Sequence, residues 1–417
     1  HPDGEVVISK LHALPIENIN PSVMDSTYYV INNYGNNASF TGLTGLTFKN
    51  LNTSGAGLYR LSNRPFNAVG ASWTPKAASV DSTNQVTFNF DTNNALGTFG
   101  QFAVNKTQGY EPVEKLAGKA MSFDETGDYL EIQDLNWKPT VFTIEWWHKP
   151  KSYKSYNQSI GNGWGSFLVH ADGSGNLNVG VANNSASRIV VPNAFNQTNV
   201  WHHFAYTFNN GSAKVYMDGK LVGSKAASSM PPTWATFKIG EAGTNSINGE
   251  IDEFRMWSTE RTQQQIREHQ HLTLQGNETG LKFYLQGQGT LQSTNLIDVS
   301  SNHYNVKVVG TIDRPASAAP VAEGSSQTLT ITAAGRYDFN QEGLALNFAS
   351  SASYPQGDVV VSKLNSNPHN APAGVTNNGN TYWIVRNYDF ADVNALTTAE
   401  RTGPNDPNVN LKLFKRD

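Results

Sequence analysis

The stretch GEIDEF at Gly249–Phe254 places three acidic side chains close together, and paired carboxylates are the groups that hydrolyse glycosidic bonds. Retaining hydrolysis needs two carboxyl groups about 5–5.5 Å apart. Side chains of a strand alternate between its faces, so Glu250 and Asp252 share a face and the next position on it is Phe254. Glu253 is predicted to point the other way. The acid/base partner is therefore missing, and we predict that this strand is not catalytic.

The histidines and the small nucleophiles form no catalytic pattern. His202 and His203 are adjacent, so on a strand they face opposite ways and cannot form a two-ligand metal site alone. The other histidines considered are scattered: His148, His269 and His271. No serine lies in a Gly-x-Ser-x-Gly elbow, the cysteine count is 0, and GNGWG at Gly161–Gly165 is followed by neither lysine nor a helix. We predict that the protein is not an enzyme.

The stretch FDETGDY is a better candidate for binding a metal ion than the histidines are. It supplies Asp124 and Asp128 around a tight glycine turn, and hard cations such as calcium prefer carboxylate and carbonyl oxygens from loops. The alternative is that Asp128 only caps the turn, as aspartate does routinely. We predict a structural calcium ion here.

Sugar binding needs exposed aromatic faces with amides nearby for the hydroxyl groups. The loop Lys151–Ser166 has this content and few core-like residues; its candidate ligand-binding residues are Tyr153, Tyr156, Asn157, Asn162 and Trp164. A second candidate is Trp234 in PPTW. Three other tryptophans lie in regular strands and are predicted to be core: Trp147, Trp201 and Trp257. Trp146 is then predicted to line the opposite face of its sheet.

Composition and turn signals predict an all-β protein. Charged residues are only 15% of the chain, against about 25% in ordinary soluble domains, and the chain contains 36 glycine residues. Asn-Gly and Asp-Gly hairpin turns punctuate the stretch Trp201–Ser224. One helix is predicted near Thr262–Leu272, because Thr262 and Gln265 have capping-box spacing. Net charge is −4 and no basic run is present, so no nucleic-acid partner is predicted. The sequence contains no run of 18 apolar residues, so no membrane insertion is predicted.

The central phrases resemble the concanavalin A-like LamG/pentraxin jelly-roll family. In chain order they are SFDETGDYLEI, FTIEWWHKP, WHHFAYTFNNGSAKVYMDGKLVG and INGEIDEFRMW, and the resemblance covers roughly Leu116–Gly310. It implies a jelly-roll β-sandwich with one short helix. It also implies that Asp252 joins Asp124 and Asp128 around the calcium ion. The outer segments, the first of which ends in FGQFAV, are similar to repeat domains in type IX secreted surface proteins of Bacteroidota.

The two outer segments share one phrase. HPDGEVVISKL begins at His1 and YPQGDVVVSKL begins at Tyr354. We predict three domains: residues 1–106, a β-sandwich repeat lacking its opening strands; residues 107–314, the jelly roll; and residues 315–417, a linker and a second copy of the repeat lacking its closing strands. Lys106–Lys115 and Asp313–Gln327 are predicted as linkers, the second because it is rich in Pro, Ala and Ser. Each copy holds strands that the other lacks, so we predict head-to-tail self-association by strand addition.

These patterns predict an extracellular or cell-surface bacterial protein, since the absence of cysteine argues weakly against a small secreted eukaryotic domain. Its predicted role is adhesion or carbohydrate recognition, with a glycan or another cell-surface ligand as partner. Two alternatives stay open: an accessory binding module of a polysaccharide-degrading enzyme, and a structural stalk or filament segment. The chain begins with His1 and shows no signal peptide, which we interpret as a mature product or an excerpt of a longer polypeptide.

Overall fold

Strands dominate the structure, as the composition predicts. The computed structural model describes residues 5–11, 23–34, 45–49, 57–64, 74–81, 85–89, 101–107, 118–181, 186–226, 231–241, 245–287, 295–350, 355–366, 381–388 and 396–401. The chain forms two compact units, one of His1–Pro112 with Ser301–His303 and one of Val113–Ser300 with Tyr304–Asp417. Within the described residues no helix is long and apolar enough to cross a membrane.

The first unit is a small β-sandwich. Its strands are β1 (Val6–Leu11), β2 (Val23–Asn33), β3 (Gly45–Lys49), β4 (Gly57–Arg64), β5 (Thr74–Asp81), β6 (Gln85–Asn89) and β7 (Gln101–Thr107). Five of them form a sheet in the order β1-β2-β7-β4-β5, and β3 pairs with β6. The buried core between them is Tyr29, Ile31, Phe48, Tyr59, Leu61, Val86, Phe88, Phe102 and Val104.

The second unit contains the central sandwich predicted from the sequence. Its elements are β8 (Met121–Asp124), β9 (Tyr129–Ile132), β10 (Val141–Pro150), β11 (Ile160–Gly161), β12 (Leu168–Ala171), β13 (Leu177–Gly180), β14 (Ile189–Val191), β15 (His202–Asn209), β16 (Ser212–Met217), β17 (Lys220–Ala226), β18 (Phe237–Ile239), β19 (Asn248–Trp257), α1 (Gln263–His269), β20 (Leu281–Leu285), β21 (Asn295–Ile297) and β22 (Asn305–Val309). Six strands of the seven-stranded sheet run β17-β16-β15-β10-β19-β20, with β8 also on β19. The eight-stranded sheet runs β14-β13-β12-β11-β18-β9-β22-β21.

The core of this sandwich lies between the two sheets and is rich in aromatic rings. Phe142 stacks on Phe208 with ring centroids 5.4 Å apart, and Trp146 stacks on Phe204 at 5.7 Å. Trp146 is part of this core, whereas Trp147 lies on the outer face of the seven-stranded sheet. The sequence prediction had these two faces reversed, although both tryptophans are buried as core-like residues are.

The outer face of the seven-stranded sheet is covered by the segment predicted as the second linker. Ala319 and Val321 pack on Trp147, and Trp201 packs half-buried at its side. Asp313 forms an antiparallel β-bridge with Ser122 of β8, and Ala316 forms one with Lys119, just before β8. Small apolar side chains let this Pro- and Ala-rich segment lie close against the large indole, so it is packed rather than extended into solvent.

The helix α1 begins where the capping box predicts. Thr262 caps it: its hydroxyl accepts the Gln265 amide hydrogen at 3.2 Å, and the Gln265 side chain accepts the Thr262 amide hydrogen at 2.9 Å. Ile266 packs on Ala205 and Tyr216 of the seven-stranded sheet. It is the only helix among the described residues.

The C-terminal part of the second unit packs on this helix. Its strands are β23 (Gly324–Ile331), β24 (Gly335–Phe339), β25 (Leu344–Phe348), β26 (Gly357–Leu364), β27 (Tyr382–Asn387) and β28 (Leu396–Arg401), arranged as β23-β26-β27 and β24-β25-β28. Arg267 of α1 pairs with Asp358 at 3.0 Å, and its guanidinium carbon lies 4.1 Å from the centroid of the Tyr388 ring. The Gln270 amide donates to the Tyr388 hydroxyl at 2.6 Å.

The two strands that share a sequence phrase also share a pairing register. β1 pairs with β2 so that Val6 opposes Asn33. β26 pairs with β27 so that Val359 opposes Asn387. In both pairs, the second residue therefore follows the first by nearly the same number of positions in the sequence.

Candidate functional site

The loop predicted to bind sugar folds back against the outer face of the eight-stranded sheet. Gly161 has φ of 138°, and a side chain there would overlap the Phe167 carbonyl, so only glycine permits this tight β11–β12 connection. The Tyr156 amide donates to the Ala171 carbonyl at 2.8 Å, and the Ala171 amide donates to the Asn157 carbonyl at 2.7 Å. These bonds hold Tyr156 beside the end of β12.

Three rings meet at this point, and we call Tyr156, Trp164 and His170 the aromatic cluster. Ring centroids are 5.7 Å apart for Tyr156 and Trp164, 5.5 Å for Tyr156 and His170, and 5.3 Å for Trp164 and His170. Tyr156 is 52% exposed and Trp164 is 58% exposed, while His170 is buried beneath them. The cluster therefore offers two aromatic faces to solvent on a histidine base.

His170 reaches the outer face because strand side chains alternate. Its neighbours Val169 and Ala171 both lie in the core between the sheets. His170 is not among the residues predicted from the sequence, although its place between two core residues of LVHADG was the available signal. His170 Nδ1 lies 2.9 Å from the Ala171 carbonyl oxygen, which only accepts, so Nδ1 carries the hydrogen. Burial lowers the pKa of His170, so the imidazole is neutral at neutral pH.

Polar side chains border the aromatic cluster on the next strand. Asn178 on β13 lies opposite His170, and Val190 on β14 lies opposite Asn178, with Val190 exposed. The Asp172 carboxylate accepts the Asn176 amide hydrogen at 3.1 Å and a side-chain hydrogen of Asn178 at 3.3 Å. Burial raises the pKa of Asp172, but these hydrogen bonds outweigh burial and hold it below its ordinary value. An ionised carboxylate, held by hydrogen bonds within its own turn, therefore lies two residues after His170.

The other predicted ligand-binding residues in the loop support the fold. Tyr153 is partly buried against the core and lies against Gly175. Asn157 is fully buried, accepts the Lys154 amide hydrogen at 2.9 Å and donates to Glu125 at 3.2 Å. The Asn162 amide donates to the Thr236 carbonyl. Of the five loop residues, the structure brings only Tyr156 and Trp164 together as exposed rings.

Trp234 does not offer the exposed face that was predicted for it. It is buried among Phe142, Phe167 and Trp137, and its indole nitrogen donates to the Ser166 hydroxyl at 3.1 Å. Two backbone hydrogen bonds of 3.0 and 2.7 Å join it to Trp137. The prediction of a second stacking position is therefore wrong, because this loop tryptophan closes one end of the core.

The predicted calcium ligands are only partly brought together. Asp124 and Asp128 lie at one turn, and each carboxylate affects the pKa of the other. Asp128 is buried, one of its oxygens accepts the Thr311 amide hydrogen at 2.8 Å, and the other has no hydrogen-bond partner. Burial and the neighbouring Asp124 raise the pKa of Asp128. An oxygen without a hydrogen-bond partner, beside a second carboxylate of the same charge, is suited to binding a cation.

Asp252 lies away from that turn. Asp124 opposes Asn248, and Asp252 is four residues further along β19, about 13 Å away at the usual strand rise. Its carboxylate instead accepts the Ser317 hydroxyl at 2.5 Å and the Glu253 amide at 2.8 Å. Across the described residues, no group of three or more His, Asp or Glu side chains is arranged to hold a metal ion.

The GEIDEF strand contains a β-bulge that the alternation rule did not anticipate. Ile251 and Phe254 both point into the core although three positions separate them, because Glu253 has a left-handed φ of 51°. Phe254 therefore does not share a face with Glu250 and Asp252. Glu253 lies on the outer side, contrary to the prediction.

All three acidic side chains of this strand have partners. Glu250 pairs with Lys149 at 3.1 Å. Glu253 accepts hydrogen bonds from Arg255 at 2.6 Å and from the Tyr284 hydroxyl at 2.5 Å. Asp252 is held by Ser317. The carboxylates thus serve as anchors for the outer face of the sheet.

The central domain is a β-sandwich whose core fills the space between a seven- and an eight-stranded sheet, an architecture consistent with a concanavalin A-like fold. Residues 124–267 match the family model Laminin_G_3, described as the Concanavalin A-like lectin/glucanases superfamily. This match confirms the resemblance of the central domain. The similarity of the flanks to type IX secreted repeat domains stays a prediction.

Solved structures that match parts of this chain include a pentraxin and a carbohydrate-binding module. One is a protein from Bacteroides ovatus ATCC 8483 proposed to bind carbohydrate, with 17% identity and TM-score 0.42 over 68% of this chain and 95% of that one. Another is the SAP-like pentraxin of Limulus polyphemus, with 18% identity and TM-score 0.31 over 36% and 81%. A third is the CBM40 module of the Ruminococcus gnavus IT-sialidase, with 13% identity and TM-score 0.30 over 36% and 95%. The search of curated proteins finds no match.

Proposed function

We propose that this protein is a non-catalytic carbohydrate-recognition module of an extracellular bacterial surface protein. The aromatic cluster is the observation that carries this proposal. Sugars present C–H faces that pack on aromatic rings, and their hydroxyl groups need fixed hydrogen-bonding partners. Tyr156 and Trp164 supply exposed rings, while Asp172 supplies an ionised carboxylate that donors in its own turn hold in place.

The geometry of the cluster favours one sugar ring rather than a long groove. The Tyr156 and Trp164 rings are inclined by 74° to each other, so they form a corner instead of a flat platform. A corner contacts one ring on two sides, which suits a terminal or branched residue of a glycan. Binding of such terminal or branched sugars would allow the protein to adhere to glycans at a cell surface.

Binding should depend strongly on Trp164. We expect Trp164→Ala to weaken glycan binding by about tenfold or more, because a large aromatic side chain contributes about 1.5–3 kcal/mol when buried by a ligand. Trp164→Phe should keep part of the affinity. A glycan array with the intact chain would identify the sugar, and isothermal titration would measure the variants.

The control is Tyr34→Ala, because Tyr34 is an exposed aromatic residue of the first unit. It should bind as the unaltered chain does. Glycan affinity that is the same for Trp164→Ala and the unaltered chain would refute the aromatic cluster as the site. Absence of binding to any glycan would favour a stalk role instead.

We also propose that calcium binds at the Asp124–Asp128 turn without Asp252. The support is the unpartnered oxygen of Asp128 beside a second carboxylate. Calcium would supply positive charge between two carboxylates that otherwise repel each other. Asp124 and Asp128 would hold it, and the turn would become more stable.

Calcium removal should therefore lower the melting temperature of the second unit. A ligand at a 100-fold excess over its dissociation constant stabilises the native state by about 2.7 kcal/mol, which corresponds to a fall of about 5–10 °C on chelation. Scanning calorimetry with and without chelator would measure the fall. Asp124→Asn should abolish the response and Asp252→Asn should keep it. An equal melting temperature with and without chelator, from a metal-replete sample, would remove calcium from the account.

A further inference from the structure

Two strands with almost the same sequence lie in opposite surroundings. β1 contains VVISKL and β26 contains VVVSKL. Ile8 of β1 is 63% exposed, whereas Val361, at the matching position of β26, is 0% exposed. The difference therefore comes from what lies beside each strand.

β26 is covered because β23 pairs with it along its whole length. Gly324 opposes Leu364, and Ile331 opposes Gly357. The hydroxyls of Ser326 and Ser362 hydrogen-bond at 2.8 Å across this pair. The hairpin β24–β25 contributes Phe339, Leu344, Leu346 and Phe348 to the core that covers the apolar side chains of β26.

β1 is the terminal strand of its sheet in the described part of the first unit. Its apolar side chains Val6, Val7, Ile8 and Leu11 are all exposed. A long apolar edge strand with unpaired backbone groups is a template for another strand.

The neighbouring strand pair shows the reverse pattern, which supports the same explanation. In the first unit β2 is flanked by β7, and Ile31 is 3% exposed. In the second unit β27 is the edge of its sheet within the described residues, and the matching Val385 is 46% exposed. Exposure thus follows the presence or absence of the flanking strand at both positions.

We propose that the outer edge of β1, which pairs with no strand among the described residues, is an acceptor site for an extended segment, and that its occupant is the opening strand of another copy of this repeat. The occupant has the sequence type of Gly324–Ile331, since this is the strand that β26 receives on the same edge. Such strand addition combines backbone hydrogen bonds with alternate side-chain contacts.

The register of the complex follows from β23 on β26. Transferred to β1, it places Gly324 opposite Leu11, Ser326 opposite Ser9 and Leu329 opposite Val6. The two serine hydroxyls would face each other as Ser326 and Ser362 do. Leu329 would cover an apolar side chain that is now in water.

The test is a titration of the intact chain into a fluorescent peptide of residues 324–348, followed by anisotropy. We expect saturable binding, because this peptide contains both the edge strand and the covering hairpin. Ile8→Lys should weaken it by about tenfold or more, since a buried aliphatic contact is replaced by a charge. Ile8 is exposed, so this variant folds normally.

Two controls distinguish binding at the proposed site from non-specific binding of the peptide. Val190→Lys changes an exposed valine of the other unit and should bind the peptide normally. A peptide with Leu329→Lys and Ile331→Lys should not bind. Hydrogen exchange should show new protection of the Val6–Leu11 amides when the peptide is present.

Several results would overturn the proposal. These are an absence of saturable binding, equal affinity for Ile8→Lys, or protection confined to β26, which would indicate exchange with β23. By contrast, self-association of the chain without peptide, abolished by Ile8→Lys, would support the proposal, since the β23 strand of a second molecule would then occupy β1.

Discussion

Replacing Arg255 by methionine is expected to destabilise the second unit by about 3–5 kcal/mol, the cost of leaving buried charges without their counter-ion. Arg255 is 1% exposed on the outer side of the seven-stranded sheet. Its guanidinium donates to Glu253 at 2.6 Å and lies 3.7 Å from Glu145, another fully buried carboxylate. Burial lowers the pKa of Arg255, but Glu253, Tyr284 and Glu145 outweigh burial and raise it, so the charge is retained.

The same side chain also closes the end of the helix. Its nitrogens donate to the carbonyl of His269, the last residue of α1, at 3.1 Å and to the carbonyl of Leu272, just beyond the helix, at 2.5 Å. Carbonyls at a helix C-terminus lack partners within the helix. Methionine fills similar volume but leaves these groups unsatisfied, so the loss has a polar as well as an ionic part.

Urea denaturation followed by tryptophan fluorescence would measure the loss. The matched control is Arg336→Met, because Arg336 pairs with Asp338 at 2.9 Å while both side chains are about two-fifths exposed. Exposed pairs contribute about 0–1 kcal/mol. Arg255→Met combined with Glu253→Gln should be less damaging than Arg255→Met alone, because one uncompensated charge is removed. Equal losses for Arg255→Met and Arg336→Met would show that the buried network is not structural.

The helix start was predictable because its signals are local. Thr262 and Gln265 need only each other to form the capping box, and the structure contains it. The exposure of Tyr156 and Trp164 was likewise predictable from a loop poor in core residues. His170 was not selected, although alternation on β12 carries the information.

The failures share a non-local cause. A β-bulge at Glu253 reverses the expected faces from Glu253 onward, and alternation cannot reveal an inserted residue. Trp234 sits in a proline-flanked stretch that has loop composition, yet its burial depends on Trp137, almost a hundred residues earlier. The Pro- and Ala-rich segment is packed because Trp147 emerges on the outer face, which composition does not show.

The stability of the second unit should fall steeply in acid, and His148 is expected to account for a defined part of the fall. The imidazole is buried in the core between the sheets. Its Nε2 lies 2.8 Å from the Gln158 side-chain oxygen, and the amide nitrogen of Gln158 donates to two carbonyls, at 2.6 and 3.0 Å. Gln158 is therefore fixed as an acceptor and Nε2 carries the hydrogen. Nδ1 accepts the indole hydrogen of Trp146 at 3.4 Å.

Protonation would thus place a second N–H against the indole N–H of Trp146. Burial, together with the nearby His202, lowers the pKa of His148 to about 3, although the hydrogen bond with Gln158 opposes the shift. The unfolded chain keeps the ordinary value of about 6.5 and binds the proton first. Stability from this residue is therefore complete above about pH 6.5 and is lost as the pH falls toward 3.

At about pH 5 the loss from His148 should reach about 2 kcal/mol, since each unit below 6.5 costs about 1.4 kcal/mol. His148→Gln keeps a donor but cannot titrate, so the stability gap between it and the unaltered chain should shrink by that amount between about pH 7 and pH 5. Urea denaturation at both values measures the gap. Phe204→Leu, a packing change beside the imidazole, should destabilise the protein equally at both, because it removes no titrating group. A His148→Gln gap that does not change with pH would mean that the folded protein accepts the proton without penalty, and the hydrogen-bond arrangement around Nδ1 would then be wrong.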